Sequence, residues 1–354
     1  MKKLLSAAVL AGILSTTAPA GATSLPRVPL TAATTTQQLA TVVSDFGNLV
    51  KPHERFADVL SGEGKRWAVI TPPGMATNGG ISVSTSGAVR QAALLPSQLL
   101  RFTPLATSAT NNVWVPGVVD AAVARHPDAV AASAGETLVV DLRGRVHAST
   151  DRERWSLVKV TLPKWAKRAQ CKPVAVAFAS TTTTQTFGLS CAKATRSVVA
   201  TSANSGATGS VLLRQLLRLQ ATTTGFVAVE WVPSLRRVVI EQFSTSLQLV
   251  STTAVAVRQV RATAVNEKGA VLLLGTASKR AVVASVNRGV SAVFLAPKRA
   301  RAVAFNLSGQ AQVLSVIDHV KRQEASLVTV RNLVAGKWTV TERFGVTVPY
   351  GSSQ

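Results

Sequence analysis

Two glutamates bracket an arginine in the stretch Phe226 to Phe243. If Ser234-Leu235 turns that stretch into a hairpin, Glu230 lies opposite Val239 and diagonal to Arg237, while Glu241 faces Ala228. The three charges then share one strand face. Carboxylates around a guanidinium suit a substrate site, and a partly exposed ion-pair cluster uses the same residues for structure alone. Asp141 and Asp151 flank another hairpin, where holding the turn accounts for both. The histidines, His53, His126, His147 and His319, have no close mutual spacing, and Asp318-His319 is followed by Lys321 and Arg322, which oppose a bound cation. No Gly-rich phosphate loop opens a helix, and no serine sits in a nucleophile elbow. The sequence therefore names no catalytic residue, no metal site and no cofactor.

The cations form more of a pattern. Lys164-Trp165-Ala166-Lys167-Arg168 sets an aromatic ring among three positive charges, and Lys298-Arg299-Ala300-Arg301 follows Pro297. Lys279-Arg280 and Lys321-Arg322 mark comparable joints between apolar segments. Solvated loops explain any one of these, but their recurrence at joints predicts a concentrated basic face. The candidate ligand-binding residues are Lys164, Trp165, Lys167, Arg168, Lys298, Arg299 and Arg301. The two cysteines, Cys171 and Cys191, lie at the edges of apolar segments with a Thr-rich turn between them. An even count without metal-ligand spacing predicts one disulfide across the open end of a hairpin.

The elements that must carry these residues are short Val/Ala strands separated by small turns. Ala262 to Gly269 (ATAVNEKG) precedes the apolar run Ala270 to Leu274, and forty residues later Ala302 to Gly309 (AVAFNLSG) precedes Ala311 to Leu314. Asn at the start and Gly at the end of a four-residue turn suit a tight reversal. The same unit recurs at Ala129 to Val140, Val174 to Leu189 and Phe226 to Phe243, and more faintly at Trp67 to Ser84, with spacings near those of propeller blades. One small sheet leaves both apolar faces exposed, and radial stacking covers both. The expected fold is an all-β propeller of six or seven blades, with a β-sandwich pair as the competing architecture. Aromatics at 5% of the chain speak against the girdles of a membrane barrel. Two stretches break the strand rhythm. Leu39, Val42, Val43, Phe46, Leu49 and Val50 recur at helical spacing and predict a helical segment over 36–60. Leu212, Leu213, Leu216 and Leu217 fit either a basic surface helix or a strand pair.

One turn carries a further signature. Ser149, Asp151 and Trp155, in the stretch Leu142 to Trp155, resemble the Asp-box, S-x-D-x-G-x-x-W. Glu153 stands where the motif has Gly, and Trp155 comes one residue early. The chain thus resembles the secreted, sialidase-like Asp-box propellers of bacteria, in which the motif is structural. That resemblance implies the scaffold more than the activity. Sialidases use a tyrosine nucleophile, and here the single tyrosine, Tyr350, stands four residues from the end in a segment prone to fraying. A sialidase-like hydrolase is kept as the alternative reading.

The ends and the charge bound the rest. Lys2 and Lys3, the apolar run Leu4 to Leu14 and the small-x-small sites Ala18-Pro19-Ala20 and Ala20-Gly21-Ala22 form the plan of a secretory signal over 1–22. Eleven apolar residues are too few to span a bilayer, and Lys and Arg interrupt every later long run, so no transmembrane span is expected after cleavage. Residues 23–35 read as a flexible leader and 61–354 as the propeller domain. Loss of Lys2 and Lys3 takes the formal charge from +23 to +21. Such an excess favours an anionic envelope polymer or an acidic protein as partner, and export makes intracellular nucleic acid an improbable one. The expected protein is secreted and envelope-associated, a non-catalytic binding module or a structural partner in a secreted complex.

Overall fold

The computed structural model describes backbone between residues 38 and 347 and side chains between residues 119 and 344, with breaks in both. The signal (1–22), the leader (23–35), Asp318-His319, Lys321-Arg322 and Tyr350 lie outside the described residues.

Nearly every described element is a strand, and the strands form seven antiparallel sheets in chain order. The first holds β1 (Gln38–Phe46), β2 (Glu54–Glu63) and β3 (Arg66–Val69). The second holds β4 (Ile81–Ser86), β5 (Val89–Leu94), β6 (Thr103–Ser108) and β7 (Val115–Val119). The third holds β8 (Val130–Ala132), β9 (Thr137–Val140), β10 (Val146–Ser149) and β11 (Ser156–Val158). A single helical turn, α1 (Lys164–Arg168), leads to the fourth, with β12 (Cys171–Phe178), β13 (Gln185–Cys191) and β14 (Ser197–Thr201). The fifth holds β15 (Gln215–Thr222), β16 (Gly225–Val232), β17 (Arg237–Ser244) and β18 (Leu249–Val255). The sixth holds β19 (Arg258–Val265), β20 (Val271–Ala277), β21 (Arg280–Asn287) and β22 (Val290–Leu295). The seventh holds β23 (Ala300–Phe305), β24 (Ala311–Ile317), β25 (Ala325–Val334) and β26 (Lys337–Thr347).

Each sheet is a meander, and the first strand of each packs beside that of the next: β4 with β8, β8 with β12, β12 with β15, β15 with β19, β19 with β23. β23 also lies beside β1. The inner strands are accordingly buried on both faces. Val227, Val229, Val238 and Ile240 of the fifth sheet pack on Val265, Val271 and Leu273 of the sixth. On its other face Phe226, Ala228 and Phe243 meet Ala175 and Ala177 of the fourth. This radial stacking of small meanders is the β-propeller architecture, not a sandwich.

The Asn-Gly repeat marks equivalent turns. Asn266 and Asn306 each close the link between the first and second strands of consecutive sheets. The Asn266 side-chain oxygen accepts from Lys268 N and Ala270 N, and that of Asn306 accepts from Gln310 N. Gly269 and Gly309 sit at φ 80° and 76°, where a side chain is disfavoured.

The helical segment expected over 36–60 is corrected: β1 and β2 pair there, Gln38 opposite Gly62 through Phe46 opposite Glu54. Thr41, Val42 and Val43 are β-branched, a type that favours strands, and a partner strand supplies what apolar spacing cannot reveal. Among the described residues the first strand of the first sheet begins at Gln38. The Leu212–Leu217 ambiguity resolves at its described end into strand β15.

Candidate anion-binding face

Strand alternation decides where the charged turns go. In a four-stranded meander, the turn between the second and third strands and the exit to the next sheet lie at one end. The other two turns lie at the opposite end. Arg143 and Arg145 stand in the β9–β10 turn, Lys164, Lys167 and Arg168 in the exit from the third sheet, and Arg236 in the β16–β17 turn. Lys279 stands in the β20–β21 turn, and Lys298 and Arg299 in the exit from the sixth sheet. All are exposed, and all belong to the same end of the propeller. The described carboxylates in those connections are Asp120, Asp128 and Asp141, of which Asp128 and Asp141 are buried. The opposite end mixes signs, with Glu136, Asp151, Glu153 and Glu267 beside Arg154, Lys268 and Arg288.

At the sixth sheet four cations converge. Arg261, Arg280, Lys298 and Arg299 line a cavity of about 360 Å³ whose remaining wall is Leu274, Gly275, Ala281, Leu295, Ala296, Pro297 and Ala300. Among the described residues no carboxylate lines it. Arg261 reaches the cavity because β19 bulges: Arg258 pairs with Thr276 and Ala262 with Leu274, so three residues of β19 oppose Gly275 alone. A Cβ on Gly275 would come within 2.6 Å of the Arg258 carbonyl oxygen, so glycine is what admits the bulge. Arg280 follows a two-residue turn in which Ser278 and Lys279 both hold positive φ, 48° and 64°. Lys298 and Arg299 occupy the middle of a turn closed by Ala300 N donating to Pro297 O at 3.3 Å. Ala296 N donates to Ala281 O and Val316 N to Arg299 O, tying that turn to β21 and β24.

Of the residues expected from sequence, Lys298 and Arg299 meet here, while Arg301 is exposed on β23 outside the cavity lining. The other basic stretch forms α1 rather than an irregular loop. Ala166, fully buried, anchors that helical turn, and Lys164, Lys167 and Arg168 stay exposed, the last two at the helix end that favours positive charge. The Trp165 side chain lies outside the described residues. Directly after α1, Cys171 and Cys191 pair across β12 and β13 and form the disulfide.

The acidic residues serve other ends. Asp151 Oδ1 accepts from Ser149 Oγ at 3.1 Å, Glu153 N at 2.9 Å and Arg154 N at 2.8 Å. The Arg154 and Glu153 amides hold this exposed carboxyl below its usual range, and Trp155 packs against the core beneath. Burial pushes the Asp141 carboxyl up. The Arg145 amide and guanidinium and the His147 ring outweigh that and hold it low. Glu230 lies opposite Val239 and Glu241 opposite Ala228, as the hairpin predicts. The ion-pair expectation is corrected for Glu230. It is fully buried, neither of its oxygens has a hydrogen-bond partner among the described residues, and Arg237 is exposed. Burial, then repulsion from Glu241, pushes the Glu230 carboxyl well above the usual range.

Two features escaped sequence reasoning. Arg261 was legible only through Gly275, an isolated glycine in an apolar strand and hence a bulge signal. The other is a clamp around Asp128, which lies in a segment interrupting the strand that pairs with β9. Asp128 accepts from Leu219 N at 2.7 Å and pairs with Arg218 at 3.1 Å, while its carbonyl accepts from Val176 N. It thereby fastens the third sheet to the fourth and the fifth. No local pattern announces partners ninety residues away.

No family model and no curated protein matches the chain. Among solved structures, a putative 6-phosphogluconolactonase from Bacteroides fragilis superposes with a TM-score of 0.51 at 10% identity, covering 89% of this chain and 97% of that one. The dihydro-heme d1 dehydrogenase NirN in complex with DHE gives 0.51 at 14% identity, covering 91% and 76%. The β-propeller domain of Cps50 (Swd1) from Myceliophteria thermophila gives 0.49 at 10%, covering 90% and 100%. At such identities the first two matches speak to fold alone. This chain is similar in fold to β-propeller proteins.

Proposed function

We propose that this protein is an exported, seven-bladed propeller that binds an anionic envelope polymer through one cationic end. The carrying observation is the segregation of charge among the described turns, with exposed Lys and Arg at one end and mixed signs at the other. A low-dielectric scaffold edged by one sign of charge concentrates potential and draws an extended polyanion across several blades. Seven sheets, with β23 beside β1, support a closed ring of seven blades. The secretory pattern of residues 1–22 and the Cys171–Cys191 disulfide support export, and among the described residues no helix is long and apolar enough to cross a membrane. The hydrogen bonds to Asp151, with Trp155 packed beneath, support the Asp-box likeness of that one turn.

The test is binding to purified anionic wall polymer at two salt concentrations. Neutralising Lys164, Lys167 and Arg168 together should weaken binding about tenfold, on the order of 1.4 kcal/mol, and flatten its salt dependence. Neutralising Arg154, Lys268 and Arg288 at the other end should leave it nearly unchanged. Equal losses from the two triple variants would sink the reading, and so would salt-independent binding.

A further inference from the structure

The open pocket at the end of the sixth sheet gathers four exposed cations over an apolar floor, which a diffuse basic field does not require. We propose that it is a discrete receptor for one phosphomonoester dianion, an inference that rests on the anion-binding reading above and names the group recognised. Four cations with no carboxylate among them call for more than one negative charge. A single carboxylate leaves most of that charge uncompensated, whereas a phosphomonoester carries nearly two charges on three acceptor oxygens. Three of the four cations, Arg261, Arg280 and Arg299, carry planar guanidinium forks suited to paired hydrogen bonds with such oxygens, and Lys298 adds a point charge.

Their backbones are fixed before any ligand arrives. The β19 bulge over Gly275 carries Arg261, the Ser278–Lys279 turn precedes Arg280, and two interstrand hydrogen bonds hold the Pro297–Ala300 turn. The positive φ at Ser278 and Lys279 is what a two-residue hairpin turn requires, and it fixes where β21 and Arg280 begin. A volume of about 360 Å³ lies at the small end of ligand cavities. It accommodates the phosphoryl group and a small carrier resting on Leu274, Leu295 and Pro297, not a length of polymer. The group comes either as a free ester or as the phosphorylated end of a polymer chain.

Titration calorimetry with phenyl phosphate and with benzoate, which share a ring and differ in the anion, tests the site on the purified full chain. Phenyl phosphate should bind at a single site at least tenfold more tightly than benzoate. Arg261→Gln with Arg280→Gln should lose that binding tenfold or more with the thermal midpoint unchanged. Should that pair fail to fold, Lys298→Gln in its exposed turn should still weaken binding severalfold. The triple α1 variant should bind phenyl phosphate as wild type does. Absence of saturable binding, parity with benzoate, or an equal loss in the α1 variant overturns the proposal. If wall polymer binds in the salt-sensitive way but phenyl phosphate does not, the receptor falls and the cationic-face reading stands; the reverse result sinks only the latter. Competition of phenyl phosphate with an end-phosphorylated chain identifies the source as a polymer terminus, and phenyl phosphate binding that such a chain does not displace identifies it as a free ester.

Discussion

Glu230 is the residue whose chemistry is most at odds with its surroundings. Its carboxyl is fully buried on a sheet face shared with Phe226 and Ala228, with Glu241 diagonally across the next strand. Desolvation penalises the charged form, and the second carboxyl adds to the penalty, so the native state holds the Glu230 proton more tightly than the unfolded chain does. The sign follows. Stability from this group is complete below the unfolded value near 4.5 and drains away as pH rises through the elevated native value. Glu230→Gln should therefore flatten the fall of thermal midpoint between pH 5 and pH 9. A parallel wild-type and variant profile, shifted by a constant, would mean the side chain acts through packing alone. The pairing of Glu230 with Val239 was readable from the hairpin, because a one-residue slip in register would have turned the apolar side chains to the other face. Its burial was not, since what covers that face is the fourth sheet, distant in sequence.

At the scale of the element, glycines and turns decide how the strands end. Gly275 permits the β19 bulge, and through it the position of Arg261. Gly275→Ala places a methyl against the Arg258 carbonyl and the Val257 side chain, a cost of about 1–3 kcal/mol and a drop of several degrees in thermal midpoint. Anion binding should fall in the same variant while the fold persists, measured by calorimetry beside circular dichroism; unchanged binding and unchanged midpoint would show that the bulge tolerates a side chain. The turns at Asn266 and Asn306 were legible because their conformation is written locally, in an acceptor side chain and a glycine. The first strand was not. Leu39, Val42, Val43 and Phe46 fit a helical stripe equally well, and only the pairing with β2 chooses otherwise. The Lys164–Arg168 stretch shows the same limit: its charges mark a connection, but the turn of helix depends on Ala166 finding a buried site.

For the whole molecule, repetition was the strongest signal, since each meander needs a neighbour on both faces and the chain supplies the same unit again and again. The contact of β23 with β1 and the Asp128 clamp join distant sheets, which periodicity does not encode. The disulfide joins the first two strands of the fourth sheet and closes a loop of about 20 residues, a constraint on the unfolded chain of roughly 3 kcal/mol. It stiffens the sheet that α1 leads into, beside which the cations of Lys164 to Arg168 are displayed.

On the proposed reading, the segregated charge of the described turns gives the propeller an electric dipole along its pseudo-symmetry axis. A body with such a dipole experiences torque as well as attraction near a negative surface, so it turns before it touches. The molecules should therefore settle flat, cationic end down, with the mixed-charge turns of Asp151, Asn266 and Asn306 facing outward. A layer adsorbed on an anionic support should measure by neutron reflectometry as thick as the propeller is tall. A thickness matching its diameter would mean that the molecules land on edge, and one between the two that they land without preferred orientation; either overturns the expectation. A flat layer leaves every outward turn available at once, which would make the protein an oriented coat rather than a scattered set of binders.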